Sequence, residues 1–321
     1  MISPIARKLI GLYVKVRYYR VPSALRAFYK DTVMCKYRQG RYWFRDFVLR
    51  KPYKTLSFYG EFAPDLQFAL PHAYWHYLNG TLQKTEAAKY TKELYFFSEN
   101  HEEVFDTRTN EGNYNYDMPR VLYGQDYDMN KWQPVPLKEK YKNDVYVYER
   151  PILLIANRYN MEWGGPPISF LSLEVLEYII ENLSDQYQII YNRPRPEHIT
   201  NDNSEVYELN EYDWLKERYP HVILVEDLYK ENKIQAKNFN HFQFCLYANA
   251  ERFVSVHGGT ATLASYFGGI NIILSKKGPE HHFQCYQKLY PKFSGALIAH
   301  AKSDEELKLL VDEHLKTSPN E

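Results

Sequence analysis

Cysteine is scarce in this chain. The three that occur, Cys35, Cys245 and Cys285, are widely spaced and form no CxxC pair. That excludes a disulfide framework and favours a reducing compartment. No apolar run approaches the ~20 residues needed to span a bilayer. Met1 to Arg20 has charges inside its apolar stretch and no small-residue cleavage site, so no signal peptide is expected. There is no GxxxxGK[ST], which excludes a Walker-type loop, and no GxGxxG after a first strand, which argues against a dinucleotide-dependent dehydrogenase. Net charge is also missing: 40 basic residues balance 40 acidic ones, so no global field points to nucleic acid.

The balance is uneven along the chain. No acidic residue precedes Asp31, whereas Arg7, Lys8, Lys15, Arg17, Arg20, Arg26 and Lys30 do. Ile5, Leu9, Leu12 and Val16 share one face at helical spacing among these cations. Such a helix suits an anionic membrane surface, and the same pattern also suits an ordinary packed terminal helix. Tyrosine is abundant, at 31 residues, and its amphipathic ring fits interfaces and ligand grooves.

Residues 1–50 read as a basic N-terminal segment, 51–145 as a first α/β domain and 146–321 as a second, with Trp132-Gln133-Pro134-Val135-Pro136 as an extended linker between the halves. In the first domain, strands are expected at 54–59 and 93–98, with a helix over 64–78. The second is clearer. Strands are expected at 151–156, 187–191, 221–225, 253–256 and from 270. Helices are expected at 172–183, 212–218, 239–250 and 304–315. Alternating helices and continuous apolar strands imply a parallel, doubly wound sheet, with ligands at its C-terminal strand ends.

The most informative segment runs from Phe253 to Ile273. A β-branched strand meets His257-Gly258-Gly259-Thr260-Ala261-Thr262, then a short helix, then Gly268-Gly269 and a second strand. Gly258 and Gly259 are expected to supply positive φ, and Thr260 or Thr262 a helix cap. A glycine turn feeding a helix N-terminus suits phosphate, because unpaired N–H groups and the positive helix end point outward together.

His257-Gly258-Gly259-Thr260 with Gly268-Gly269-Ile270-Asn271-Ile272-Ile273 resembles the C-terminal donor-binding domain of GT-B glycosyltransferases, over about 151–300. The resemblance implies two Rossmann-like domains facing a central cleft. It also implies a nucleotide-sugar diphosphate held by His257 to Thr262, and a basic residue after the first strand of the second domain that balances the leaving diphosphate. Asn157-Arg158 stand at that place, followed by Trp163-Gly164-Gly165. Many such enzymes carry an acidic ribose contact in the helix after the turn; Ala264-Ser265 stand there instead.

Further donor contacts are expected from strand ends. Glu226-Asp227-Leu228 would meet base or ribose, and Arg193 and Arg195 phosphate. His281 or His282 is expected over the donor, with Gln284 and Gln287. His281-His282 with Glu280 and Cys285 fits no standard zinc spacing. Asp126-Tyr127-Asp128 lies in irregular sequence, so metal-independent chemistry is expected, with no cofactor besides the nucleotide-sugar substrate. On the acceptor side a base must take the acceptor hydroxyl's proton. Glu61, just after Gly60, is the first choice; Asp65, His72 and His101 compete.

The expectation is therefore an α/β glycosyltransferase of GT-B type. It would act on a glycan or lipid-linked acceptor, with no nucleic acid partner, in the cytoplasm or peripherally on the inner face of a membrane. Two other readings remain open: a nucleotide-sugar epimerase of related fold, and a non-catalytic nucleotide or phosphate binder.

Overall fold

The computed structural model describes residues 3–50, 54–119, 131–162, 164–194 and 205–316, with Asp46 described only in its backbone. The sequence expectations for Arg195, Trp163 and Asp126-Tyr127-Asp128 therefore lie outside the described residues. The chain divides into two compact units, Met1–Val135 with Pro279–Leu289, and Pro136–Gly278 with Tyr290–Glu321. Each carries a parallel sheet together with helices, a mixed α/β architecture consistent with a Rossmann-like fold.

In the first unit, helices α1 (Pro4–Arg17) and α2 (Ser23–Trp43) precede a three-stranded parallel sheet of β1 (Thr55–Ser57), β2 (Lys84–Ala88) and β3 (His101–Phe105). The first fifty residues thus belong to this unit. A helical run, Phe62–Leu78, connects β1 to β2 and widens into a π-helix at Asp65–Ala69. Pro71 explains the local adjustment. It has no N–H for the Gln67 carbonyl, and the Trp132 indole N–H donates to that oxygen instead, at 2.7 Å.

The strand expected at 93–98 is not one. Glu93 to Ser98 forms successive turns, in which the Leu94 and Tyr95 N–H groups donate to Thr91 O and Ser98 N–H to Tyr95 O. Its aromatics suggested a strand, but Tyr95 is buried by donating to Asp65. The true second and third strands, KTEAA and HEEVF, are charged. Their charges pair across the sheet, as in Lys84 to Glu102 at 2.7 Å.

The second unit contains the five expected strands and a sixth, Leu297–Ala301, that was not expected. Six parallel strands stand in the order β6-β5-β4-β7-β8-β9: β4 Ile152–Ala156, β5 Gln188–Asn192, β6 Ile223–Leu224, β7 Arg252–Val256, β8 Ile270–Leu274 and β9 Leu297–Ala301. β4 is buried at every position, as a central parallel strand must be. The helix Leu173–Leu183 is capped by Ser172 and buries Val175, Leu176, Ile179, Ile180 and Leu183 against the sheet. Each such side chain contributes roughly 1.5–3 kcal/mol. β6 is shorter than expected, because the chain enters the helix Val225–Glu231 at once.

Candidate functional site

The strand order places a switch point between β4 and β7. The chain leaves β4 toward β5 on one side and leaves β7 toward β8 on the other, which opens a crevice beyond their C-terminal ends. Ala156 is paired with Ser255, so the residues two further on, Arg158 and His257, leave the sheet side by side. Arg158 Nη1 lies 3.4 Å from both His257 O and His257 Nε2.

Gly258 follows with φ 89° and ψ −144°, a backbone that a side chain would strain. A Cβ there would also stand 3.0 Å from Arg158 Nη1. Gly259 is an ordinary first helical residue of Gly259–Ala264, so one positive φ, at Gly258, makes this turn. The expected threonine cap is absent too. Thr260 and Thr262 lie inside the helix and donate backward, to Val256 O and Gly258 O. By helix geometry the N–H groups of Gly259, Thr260 and Ala261 have no intrahelical acceptor. The side chains of Ala261 and Thr262 are buried; Thr262 meets the Tyr290 hydroxyl at 3.1 Å. Only Gly258, Gly259 and Thr260 of the turn reach the surface in part.

Beneath the short helix lies a buried polar lattice. Ser255 donates to Asn271 Oδ1, and Asn271 Nδ2 donates to Ser265 Oγ and Ala261 O. Ser265, in the place of the acidic ribose contact, therefore points into the core and holds the helix to β8.

Glu162 was not singled out from sequence. It is buried, and its carboxylate Oε2 lies 3.3 Å from His257 Nε2 while Oε1 accepts from the Ser169 N–H at 3.0 Å. Burial pushes its carboxyl up, but His257, the Ser169 N–H and Arg158 together hold it below the ordinary range. The signal was available: Glu162 is the one acidic residue between Asn157 and Leu171, the loop that leaves the first strand of the sheet. Asn157 builds that loop. Its amide donates to Leu171 O and the Tyr191 hydroxyl and accepts from the Arg158 and Leu171 N–H groups. Asn157 is thus a buried clamp that aims Arg158, with its polar atoms engaged inside the unit.

The remaining donor candidates lie elsewhere. Arg193 is buried in a forked ion pair with Glu211 and also donates to Tyr207 O, so its guanidinium is engaged within the fold. Glu226, Asp227 and Leu228 belong to the helix Val225–Glu231 beyond the edge strand β6, with Glu226 and Asp227 on Lys230. That is two strands from β4, or about 10 Å at ordinary strand spacing. His282 is in the first unit, where its Nε2 meets the Tyr29 hydroxyl at 2.8 Å.

The acceptor-side candidates separate by burial. Asp65 is fully buried, paired with Arg108 at 3.1 Å and accepting from Tyr95, so it is an internal anion of the fold. His72 is fully buried. Its Nδ1 meets Lys131 O at 2.9 Å, and its Nε2 has no hydrogen-bond partner among the described residues. Burial, helped by His76 and Lys54, holds His72 well below its usual pKa and therefore neutral. His101 is partly buried between Thr85 and Thr91 and is also pushed down by burial. Glu61 is the part-exposed carboxylate of the set. Asn113 fixes it by donating to Glu61 Oε2 and accepting from the Glu61 N–H, both at 2.9 Å.

Among the described residues, no cluster of three His, Cys, Asp or Glu is placed to hold a metal ion, and no helix is long and apolar enough to cross a membrane. Compared with known proteins, the chain matches no family model, no curated protein and no solved structure.

Proposed function

We propose that the protein is a glycosyltransferase that binds a nucleotide-sugar through its diphosphate at the β4/β7 crevice of the second unit. The observation that supports this reading most is the convergence of Arg158, His257 and the Gly258–Thr260 turn at one switch point. Cleavage of a nucleotide-sugar leaves a nucleoside diphosphate whose charge grows as the bond to the anomeric carbon breaks. An arginine and oriented N–H groups stabilise that charge without proton transfer. Glu162 restrains His257 and so keeps the imidazole beside Arg158. The acceptor is taken by the first unit in the same proposal, a GT-B organisation, with Glu61 receiving the acceptor hydroxyl's proton.

A thermal-shift screen with UDP, GDP, CMP and dTDP tests the reading. One nucleotide should raise the melting temperature, since ligand at a hundredfold excess over Kd stabilises by about 2.7 kcal/mol. No shift with any of them, or a shift with CMP alone, which carries a single phosphate, overturns it. A nucleotide-sugar isomerised in the absence of acceptor would replace transferase with epimerase.

A further inference from the structure

The apolar stripe of α1 faces water. Ile5, Leu9, Leu12 and Val16 are 72%, 62%, 59% and 67% exposed, whereas Val14 is 3% exposed. At about 100° per residue, the four stripe residues span roughly 60° of the helix, and Val14 lies about 170° from their centre. The helix therefore packs on its own unit through Val14 and presents its most apolar side outward. The packed-terminal-helix alternative would require the opposite.

The charges around the stripe say what could cover it. Lys8 and Lys15 flank one edge and Arg17 the other, and all three are exposed. The nearest acidic residue in sequence, Asp31, is buried and accepts from the Tyr116 hydroxyl, so α1 carries no negative charge of its own. A second copy of α1 laid on the stripe would bring cations against cations. An anionic lipid surface would receive the apolar side chains among its acyl chains while the lysine and arginine stems reach up to the phosphates. At 14 residues the helix is about 21 Å long, too short to span a bilayer core of ~30 Å and long enough to lie along it. Tyr13 and Tyr19, also exposed, suit the boundary between headgroups and chains.

We propose that α1 docks the protein in-plane on an anionic lipid surface through Ile5, Leu9, Leu12 and Val16, with Lys8, Lys15 and Arg17 on the headgroups. The proposal is independent of the donor reading, because binding is measured without nucleotide.

The full chain is sedimented with vesicles of phosphatidylcholine alone and with vesicles containing phosphatidylglycerol. Binding is expected only to the anionic vesicles and should weaken with added salt. Lys8→Glu with Lys15→Glu should weaken it by at least roughly fivefold per charge removed. Leu9→Glu with Leu12→Glu should abolish it without changing the melting temperature, since both side chains are exposed. Three results each overturn the proposal: no binding by the native chain, undiminished binding by the leucine variant, or a native chain that self-associates in lipid-free solution until the leucine substitutions disperse it.

Discussion

Glu162 Oε2 stands 3.3 Å from His257 Nε2, across the crevice between two strands that are neighbours in the sheet and about a hundred residues apart in the chain. Arg158 Nη1 lies 3.4 Å from the same imidazole nitrogen. The imidazole thus stands between a carboxylate and a guanidinium, and Arg158 is the cation on the side of the glycine turn.

Arg158→Ala should therefore remove most nucleotide stabilisation while leaving the melting temperature of the unliganded protein within a few degrees. A charge-assisted hydrogen bond contributes about 1.5–3 kcal/mol, or roughly ten- to hundredfold in affinity. Glu162→Gln should weaken nucleotide binding less, because it loosens His257 without removing the cation. Titration of each variant with the nucleotide found in the screen checks both. Unchanged affinity in Arg158→Ala would remove this residue from the site.

Arg193→Ala should behave in the opposite way. It leaves Glu211 as a buried carboxylate without its forked partner, which costs on the order of 3–5 kcal/mol of stability. Urea unfolding should show the loss. If the variant unfolds like the native chain and instead fails to bind nucleotide, Arg193 belongs to the donor site after all.

Glu61→Gln keeps the shape of the residue and removes its basicity. Transfer to the acceptor should fall by about 10²–10⁴-fold, the range of general base catalysis, with nucleotide binding intact. Parallel measurement of product formation and of nucleotide affinity separates the roles; loss of both would make Glu61 a part of the fold or of the donor site.

Acid should destabilise the first unit earlier than its carboxylates alone would. Burial, with Lys54 and Lys131 nearby, lowers His76 to about 3, and burial holds His72 well below its ordinary value. Both remain neutral in the folded state while the unfolded chain takes up protons below pH about 6.5. The unfolded state then binds more protons, so stability falls as pH drops from there toward the folded values, by up to about 1.4 kcal/mol per pH unit for each histidine. Urea titrations between neutral and mildly acidic pH should show that slope. His76→Gln should flatten it; an unaltered slope would place the proton uptake elsewhere.

The second unit was legible because its strands are continuous apolar runs and its helices are strongly periodic. Buried parallel strands and amphipathic helices write those patterns directly. The first unit was less so. KTEAA and HEEVF form strands through cross-strand charge pairs, while the aromatic 93–98 segment forms turns around Tyr95 and Asp65. Composition alone does not separate such cases, since pairing partners lie far along the chain.

For the site, the sequence by itself determined a glycine turn after a late strand and an arginine after an early one. Only the tertiary structure decided that those two strands are neighbours at the switch point, because strand order is set by how connections cross the sheet and not by any local pattern. It also decided which polar residues are engaged within the fold. Asn157, Arg193 and Asp65 look like ligand contacts in one dimension, yet each satisfies a buried partner, which an interior requires of every polar group it encloses. The stripe on α1 divides the same way: its spacing is read from sequence, and its exposure follows only from Val14 taking the inward side.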